Sequence, residues 1–419
     1  MTQSPSRSPQ APSPSPSRLE QLHDYTYRKV AGVLGECQST QEPINLSVGE
    51  PKFGAYDTVG EALAVTDPAG WGKYPPVNAG SNLREAVAGW IRRRYELPAE
   101  ILDTNAHVHP VFGTKEGLFS AILAAVLRKE DRLEKAGKGH LRPLIVLPNP
   151  LYHVYVGAAL TSGAEICYAP CTPATDFAPD LAVVAEEDWD RVALVIATNP
   201  GNPTGALLPA AFLRAAIERA RRHDFTFLSD ECYSELYYDT KPVSAFEVCR
   251  DLGGGLENVW VVNSLSKRSG LPGLRSGFVA GDADRLEDLY YLRAYGGAQT
   301  PIGLQEAAIA LWQDEAHVAA FRQRYAAINQ VASDVLGDLP GFRAPEAGFV
   351  LWLPVSGGDG DAVARRLWQE QAVRTLPGSI LSRPMPDGSK PGQGFVRFAL
   401  VYPEDVTREA LLRCRDILG

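Results

Sequence analysis

Short apolar runs alternate with longer amphipathic stretches over the middle of the chain. The runs are VHPVF (residues 108–112), LIVL (144–147), VALVIA (192–197), FTFLS (225–229), VWVVN (259–263) and SGFVA (276–280). Each has the length and β-branched content of a buried strand, while residues 118–127 and 210–222 have a helical period. Strands that are apolar on both faces and alternate with helices predict an α/β fold with a mainly parallel sheet.

The pattern changes near residue 301 to long amphipathic helices, followed by the strand-like segments EAGFVLWLPV and FVRFALV and the Gly-Pro-rich loop PMPDGSKPGQG between them. The first 17 residues are mostly Ser, Pro and Gln, a composition that predicts disorder. We expect a disordered tail (1–17), an N-terminal arm with part of the small domain (18–57), a large domain (58–300) and a small α/β domain (301–419).

Length and charge restrict the classes of function. A chain of 419 residues fits two domains that share one site. The formal net charge of −9 leaves no basic face for nucleic acid, so a small-molecule partner is favoured. No apolar run approaches the roughly 20 residues of a membrane span, and the N-terminus lacks a signal-peptide pattern, so we expect a cytoplasmic protein without a membrane partner.

The six cysteines are scattered along the chain. Cys167 and Cys171 have metal-ligand spacing, but no second pair completes a zinc site. We expect six reduced thiols and no metal.

Polar side chains follow the apolar runs, where an open α/β sheet binds its ligands. In NSLSKRSGLPGLRSGF, Lys267 comes directly after a predicted strand. A lone lysine is usually a solvated surface residue, but an amine here could form an imine with an aldehyde cofactor. Ser264, Ser266 and Arg275 could then hold a phosphate, with the guanidinium as a bidentate donor.

The segments SDECYSELYY and TNPGNPTG follow two further strands. Asp230 is either a turn or helix-capping residue or the partner of a pyridine nitrogen, which would keep the ring protonated as an electron sink. Tyr233 and Asn202 could both reach the phenolic oxygen of such a ring. Ordinary turn chemistry is the alternative for the Asn-Pro steps.

Three other segments add candidates. Thr114 and Lys115 begin a helix after a strand, which is either a capping motif or a phosphate site. Tyr152 is either a core aromatic or a ring that stacks on the cofactor. Arg397 interrupts an apolar strand and is the better candidate for a substrate carboxylate, whereas Arg374 is expected to be a solvated charge at a helix end.

Taken in order, these segments resemble the fold-type I, class I/II aminotransferases over nearly the whole chain after about residue 43. The resemblance implies pyridoxal 5'-phosphate as cofactor, carried by Lys267 as a Schiff base, and a seven-stranded sheet in the large domain. INLSVGEP matches the segment whose Gly49 contacts the substrate carboxylate, and KYPPVNAGSNLREAV matches the motif whose Tyr74 reaches the phosphate of the neighbouring subunit in a homodimer. The remaining positions follow in family order: Thr114, Lys115, Tyr152, Asn202, Asp230, Tyr233, Ser264, Ser266, Lys267, Arg275 and Arg397.

Within that family, ECYSELYYD, SLSKRSGLPGLRSGFVAGD and YLRAYGGAQTP look most like succinyldiaminopimelate aminotransferases of lysine biosynthesis. The resemblance implies exchange of an amino group between glutamate and N-succinyl-2-amino-6-oxopimelate. The cofactor residues leave open an aspartate, alanine or aromatic aminotransferase, or a β-lyase acting on cysteine conjugates. A ligand sensor built on the same fold is a remote alternative, because no basic helix-turn-helix pattern accompanies the domain.

Overall fold

The computed structural model describes residues 16–23 and 25–419. Residues 1–15, and with them nearly all of the expected disordered tail, lie outside the described residues. Within the described part, no helix is long and apolar enough to cross a membrane, and no group of three His, Cys, Asp or Glu side chains could hold a metal ion. The six cysteines are free thiols, as expected.

The strands of the described residues are short, and most of their side chains are buried. In chain order they are β1 (Ile44–Asn45), β2 (Val108–Val111), β3 (Leu144–Asn149), β4 (Glu165–Pro170), β5 (Val192–Thr198), β6 (Thr226–Asp230), β7 (Val259–Ser264), β8 (Gly277–Gly281), β9 (Val350–Pro354), β10 (Val373–Arg374), β11 (Leu376–Pro377) and β12 (Phe395–Ala399).

The helices range from single turns to more than twenty residues. In chain order they are α1 (Arg18–His23), α2 (Thr26–Leu34), α3 (Tyr56–Val65), α4 (Ser81–Tyr95), α5 (Thr104–His107), α6 (Thr114–Lys135), α7 (His153–Ser162), α8 (Ala210–His223), α9 (Ala245–Leu252), α10 (Leu265–Arg268), α11 (Ala283–Gly296), α12 (Ile302–Gln313), α13 (Ala316–Leu336), α14 (Gly360–Gln371), α15 (Gly378–Leu381) and α16 (Glu404–Leu418).

The large domain is built on a seven-stranded sheet within the described part of the chain, with the order β2-β8-β7-β6-β5-β3-β4. Only β8 in this sheet runs antiparallel to its neighbours. Helices α4, α8, α9 and α12 supply buried residues on one face, and α6, α7 and α11 supply them on the other. The predicted α/β fold with a mainly parallel sheet is therefore confirmed.

Strand β4 was not predicted from the apolar pattern. It lies at the edge of the sheet, where it pairs only with β3, and most of its residues are half-exposed. The partial burial of β4 allows Glu, Cys and Tyr among its residues in place of the continuous apolar run of a central strand. Its sequence EICYAP therefore carries a weak signal.

The small domain has a separate core around the sheet β11-β12-β9. Val30, Leu34, Ile44 and Leu46 of the N-terminal segment belong to this core, and β1 pairs with β10. Helix α12, expected in the small domain, instead buries its apolar face in the core of the large domain. The expected boundary at residue 301 is wrong for this helix, because an amphipathic pattern does not identify the core that the helix faces.

A buried carboxylate holds the end of β6 in place. Glu231 is about 1% exposed, and its Oε1 accepts hydrogen bonds from the hydroxyls of Ser229 and Ser244 and from the backbone N–H of Ala245. Its Oε2 accepts a hydrogen bond from the hydroxyl of Tyr95 on α4. The carboxylate therefore joins β6 to α4 and to the first turn of α9, directly beside Asp230.

Burial raises the pKa of Glu231 from 4.5 to about 7, although its hydrogen bonds oppose that rise. Between these pH values the folded protein holds a proton that the unfolded chain releases, so the free energy of unfolding falls as pH rises. We predict that Glu231→Gln removes this fall, which is on the order of 1.4 kcal/mol per unit of pKa shift. Urea unfolding at pH 5 and pH 8, at one protein concentration, measures it.

Glu404→Gln, a change of an exposed carboxylate at the start of α16, is the matched control and should keep the wild-type pH dependence. Equal pH dependence in wild type and Glu231→Gln would contradict the assignment of this titration to Glu231.

Candidate active site

A cavity of about 500 Å³ lies at the carboxyl ends of β5, β6 and β7, where residues of the small domain also reach it. All of the candidate residues named from the sequence line it except Tyr74, namely Gly49, Thr114, Lys115, Tyr152, Asn202, Asp230, Tyr233, Ser264, Ser266, Lys267, Arg275 and Arg397. Residues that are far apart in sequence therefore meet in one cleft. Tyr74 is fully exposed and lies outside this cleft of its own chain.

Lys267 lies in the single turn of α10, directly after β7. Its Nζ donates a hydrogen bond to the carbonyl oxygen of Gly49 and lies 5.3 Å from the ring centre of Phe349. Burial, together with the charge of Arg397, lowers the pKa of this amine to about 8, against the opposing effect of Cys232. A lysine with this pKa has a neutral, nucleophilic fraction near neutral pH, as addition to an aldehyde requires.

Asp230 ends β6 with its carboxylate almost completely buried, about 5% exposed. Burial raises its pKa, while hydrogen bonds favour the charged form. Oδ2 accepts a hydrogen bond of 2.6 Å from the hydroxyl of Tyr155, and Oδ1 accepts one of 3.2 Å from the backbone N–H of Cys232. A cation bound beside this carboxylate would offset the cost of its burial.

Tyr155 was missed by the sequence analysis. It lies on α7 among apolar residues and is fully buried, so its sequence context is that of a core aromatic. Its hydroxyl also lies 3.3 Å from that of Thr198, which pairs with Asp230 across β5 and β6. Only the tertiary structure shows that this phenol contacts the carboxylate.

The start of α6 has the features of a phosphate site. Gly113 has a φ of 72°, and a Cβ at this position would lie 2.4 Å from Nη2 of Arg275, so the guanidinium packs directly against the backbone before Thr114. Arg275 donates hydrogen bonds to the carbonyl oxygens of Phe112 and Pro272. The guanidinium therefore lies beside the N–H groups that begin the helix, where anions bind.

Ser264 supplies a second observation at this position. Its Oγ is buried and has no hydrogen-bond partner among the described residues. A Cβ on Gly277 would lie 3.0 Å from Cβ of Ser264 and 3.3 Å from the backbone nitrogen of Thr114, so the serine lies close to the start of α6. A buried hydroxyl without a partner, beside a helix N-terminus and a guanidinium, fits a bound phosphate group.

Arg397 joins the two domains at the other side of the cleft. It lies in β12, is about 6% exposed, and donates to the carbonyl oxygen of Ser47 at 2.7 Å and to Oδ1 of Asn202 at 3.3 Å. Arg374, expected to be a solvated charge at a helix end, instead lies half-buried in β10 with its guanidinium 5.8 Å from the ring centre of Trp368. That expectation was wrong because the two-residue strand is too short to produce an apolar pattern.

Two aromatic residues complete the walls of the cleft. Tyr152 precedes α7, and its ring contacts those of His153 and Tyr155 edge-on. Tyr233 packs edge-on against Phe349 at 5.4 Å between ring centres. Both side chains line the cavity, Tyr152 half-exposed and Tyr233 buried.

Comparison with known proteins agrees with this arrangement. The model of the aminotransferase class I and II family matches residues 41–412. The chain belongs to this family. It is therefore a pyridoxal-phosphate-dependent aminotransferase, and the lysine, the buried carboxylate and the phosphate site described above fit that cofactor.

Individual relatives span almost the whole chain. An LL-diaminopimelate aminotransferase of Oleidesulfovibrio alaskensis is 29% identical, over 96% of this chain and 98% of its own. An aminotransferase structure from Neisseria meningitidis has a TM-score of 0.88 and 35% identity, covering 96% of this chain and 99% of its own. A probable N-succinyldiaminopimelate aminotransferase structure from Thermus thermophilus has a TM-score of 0.76 and 26% identity, covering 96% of this chain and 100% of its own.

Tyr155→Phe tests the contact between the phenol and Asp230. A hydrogen bond to a charged group contributes about 1.5–3 kcal/mol, so we predict that kcat falls at least about tenfold while the cofactor stays bound. Steady-state kinetics with the best amino donor, together with the visible absorbance of the bound cofactor, measure both quantities.

The matched control is Tyr95→Phe, which removes the equivalent hydroxyl from Glu231, the next residue along the chain. It should lower the free energy of unfolding and leave kcat nearly unchanged. If both variants lose kcat equally, Tyr155 acts only through packing and the prediction is wrong.

Proposed function

We propose that this aminotransferase exchanges an amino group between the pair glutamate and 2-oxoglutarate and the pair N-succinyl-LL-diaminopimelate and N-succinyl-2-amino-6-oxopimelate, a step of lysine biosynthesis. The observation that carries the proposal is the charge of the cleft. Among the described residues, its lining includes Lys115, Lys267, Arg275 and Arg397 and one carboxylate, that of Asp230. With Lys267 and Arg275 assigned to the cofactor, Lys115 and Arg397 remain to attract a substrate that carries more than one carboxylate.

The names of similar proteins support a diaminopimelate compound as the substrate but divide on its acyl group. The Thermus thermophilus structure is titled as a probable N-succinyldiaminopimelate aminotransferase, whereas the Oleidesulfovibrio alaskensis relative is named for LL-diaminopimelate. We favour the succinylated substrate, because its additional carboxylate matches the cationic cleft. Free LL-diaminopimelate is the second candidate.

Each cofactor-binding residue has a role that follows from its position. When bound, pyridoxal phosphate supplies an aldehyde carbon and an electron-accepting ring. The N–H groups of Thr114 and Lys115, the hydroxyls of Ser264 and Ser266, and Arg275 would bind its phosphate. Asp230 would hold a proton on the ring nitrogen, with Tyr155 orienting the carboxylate. Tyr233 and Asn202 would donate to the phenolic oxygen, and Tyr152 would pack on the ring face.

On the substrate side, Arg397 and the backbone at Gly49 would bind the α-carboxylate. Lys267 Nζ would then take the proton from the substrate α-carbon and return it at the carbon that had been the cofactor's aldehyde. An amine with a pKa of about 8 suits both transfers near neutral pH, because a useful fraction is present in each protonation state. The aromatic walls formed by Tyr233 and Phe349 would limit the access of water to this amine.

Tyr74 requires a second subunit. Its side chain is fully exposed and lies outside the cleft of its own chain. Trp71 in the same segment is also largely exposed. We propose a two-fold homodimer in which Tyr74 donates to the cofactor phosphate in the partner's site.

A mixture of two inactive variants tests Lys267 and Tyr74 together. Lys267→Ala should lose all turnover, and Tyr74→Ala should lose cofactor affinity. In a heterodimer one site keeps both native residues, so co-expression of the two chains should recover about a quarter of wild-type activity. Borohydride reduction should attach the cofactor to Lys267 in the Tyr74→Ala chain alone.

Co-expression of Lys267→Ala with Lys267→Arg is the control and should recover nothing. If the first mixture also stays inactive, or if reduction labels Lys115, the assignment of these residues is wrong.

A substrate panel tests the proposed function. With glutamate and 2-oxoglutarate as the other pair, we predict that kcat/KM for N-succinyl-LL-diaminopimelate exceeds that for aspartate, alanine or phenylalanine at least about a hundredfold, near 2.7 kcal/mol. A higher value for free LL-diaminopimelate would select the second candidate. Equal use of aspartate or phenylalanine, or release of pyruvate and ammonia from cysteine conjugates, would reject the proposal.

A further inference from the structure

A second cleft of about 470 Å³ continues from the active site. The two share Tyr25, Thr26, Lys115, His153 and Arg275 as lining residues. Beyond these, the second cleft has apolar walls from Leu22, Phe119, Val156 and Leu160. A substrate held at Arg397 could therefore extend an arm past the cofactor into this space.

Arg383 lies in this second cleft, and no carboxylate of the described residues forms an ion pair with it. The side chain is half-buried, and its Nη1 donates hydrogen bonds to the carbonyl oxygens of Ile380 at 3.4 Å and Ser382 at 3.1 Å. The guanidinium also forms a hydrogen bond with the hydroxyl of Tyr168. The ion pairs formed by the described residues do not include Arg383. A half-buried guanidinium with neutral partners keeps its capacity for a bidentate contact with an anion.

The backbone of Arg383 is hydrogen-bonded to the carboxyl end of β3 in the large sheet. Its N–H donates to Oδ1 of Asn149 at 2.9 Å, and Nδ2 of Asn149 donates to its carbonyl oxygen at 2.8 Å. Asn149 is itself fully buried at the end of β3. The guanidinium is thus carried by an anchored segment, as a preorganised binding residue requires.

The charges around this cleft leave room for an anion. Burial, together with the charges of Lys115, Arg383 and Arg397, lowers the pKa of His153 to about 4, so the histidine is neutral among three cations. Among the described residues of the lining, Glu116 is the only carboxylate, and it pairs with the fully buried Arg293 at 2.9 Å. The net charge of the lining is therefore positive.

We propose that Arg383 determines substrate specificity by binding a carboxylate remote from the reacting carbon, with the connecting chain against the apolar walls of the second cleft. The inference rests on the proposed function. In that function the other two guanidinium groups already have partners, Arg275 the cofactor phosphate and Arg397 the α-carboxylate. Arg383 is the remaining guanidinium that faces the continuous space.

The test compares ligands that differ only in the distal charge. In the wild-type holoenzyme, pimelate should bind at least about tenfold more tightly than heptanoate, which has the same chain length and one carboxylate. Arg383→Met should reduce this ratio to about one, and Arg383→Lys should keep part of it. For N-succinyl-LL-diaminopimelate, Arg383→Met should raise KM about ten- to hundredfold with little change in kcat, while alanine turnover stays constant.

Arg366→Met, which changes an exposed arginine on α14, is the control and should keep the wild-type ratio. An unchanged pimelate preference in Arg383→Met, or an equal loss with alanine, would overturn the inference. If wild type does not use the succinylated substrate but Arg383 still sets the pimelate preference, the proposed function fails and the specificity role stands. If wild type uses that substrate and Arg383→Met does too, with unchanged KM, the specificity role fails and the proposed function stands.

Discussion

The carboxylate of Asp230 is buried at the end of β6, and its negative charge has to be compensated inside the protein. A phenol from α7 and a backbone N–H provide two hydrogen bonds, yet burial still raises its pKa. A protonated ring nitrogen in the adjacent cavity would supply the missing positive charge. Under the proposed function, the cofactor would therefore stabilise the charged form of this buried carboxylate.

The neighbouring strands place the other reactive groups around this carboxylate. Because β5, β6 and β7 run parallel, their carboxyl ends bring Thr198, Asp230 and Ser264 to one edge, and α10 begins there with Lys267 on its single turn. The buried hydrogen bonds of Glu231 attach the end of β6 to α4 and α9. The rigidity of the site therefore comes from hydrogen bonds on the side of β6 away from the cavity.

The small domain and the N-terminal segment close the cleft through polar contacts. Arg397 contacts Ser47 and Asn202, and Lys267 contacts Gly49, so both cations bind backbone or amide oxygens. A substrate carboxylate that binds Arg397 would strengthen this contact between the domains. Under the proposed function the cations would have separate uses, Arg275 near the helix start, Arg397 beside the reacting carbon and Arg383 at the far end.

The local sequence was sufficient to predict the central strands, the α/β fold and the cluster of residues from Thr114 to Arg397, because burial between two helical layers leaves a continuous apolar run and the polar residues follow it directly. The family resemblance added the cofactor. Strand β4, the packing of α12 and the contacts of Tyr155 and Arg383 were decided by the tertiary structure alone. The hydrophobic periodicity of the sequence indicates that a side chain is buried. It does not identify the partner of that side chain, which depends on contacts between residues far apart in the chain. A tyrosine in an apolar helix and an arginine in a Pro-rich segment therefore became candidates only when the fold placed the tyrosine beside a carboxylate and the arginine in a cleft with a positively charged lining.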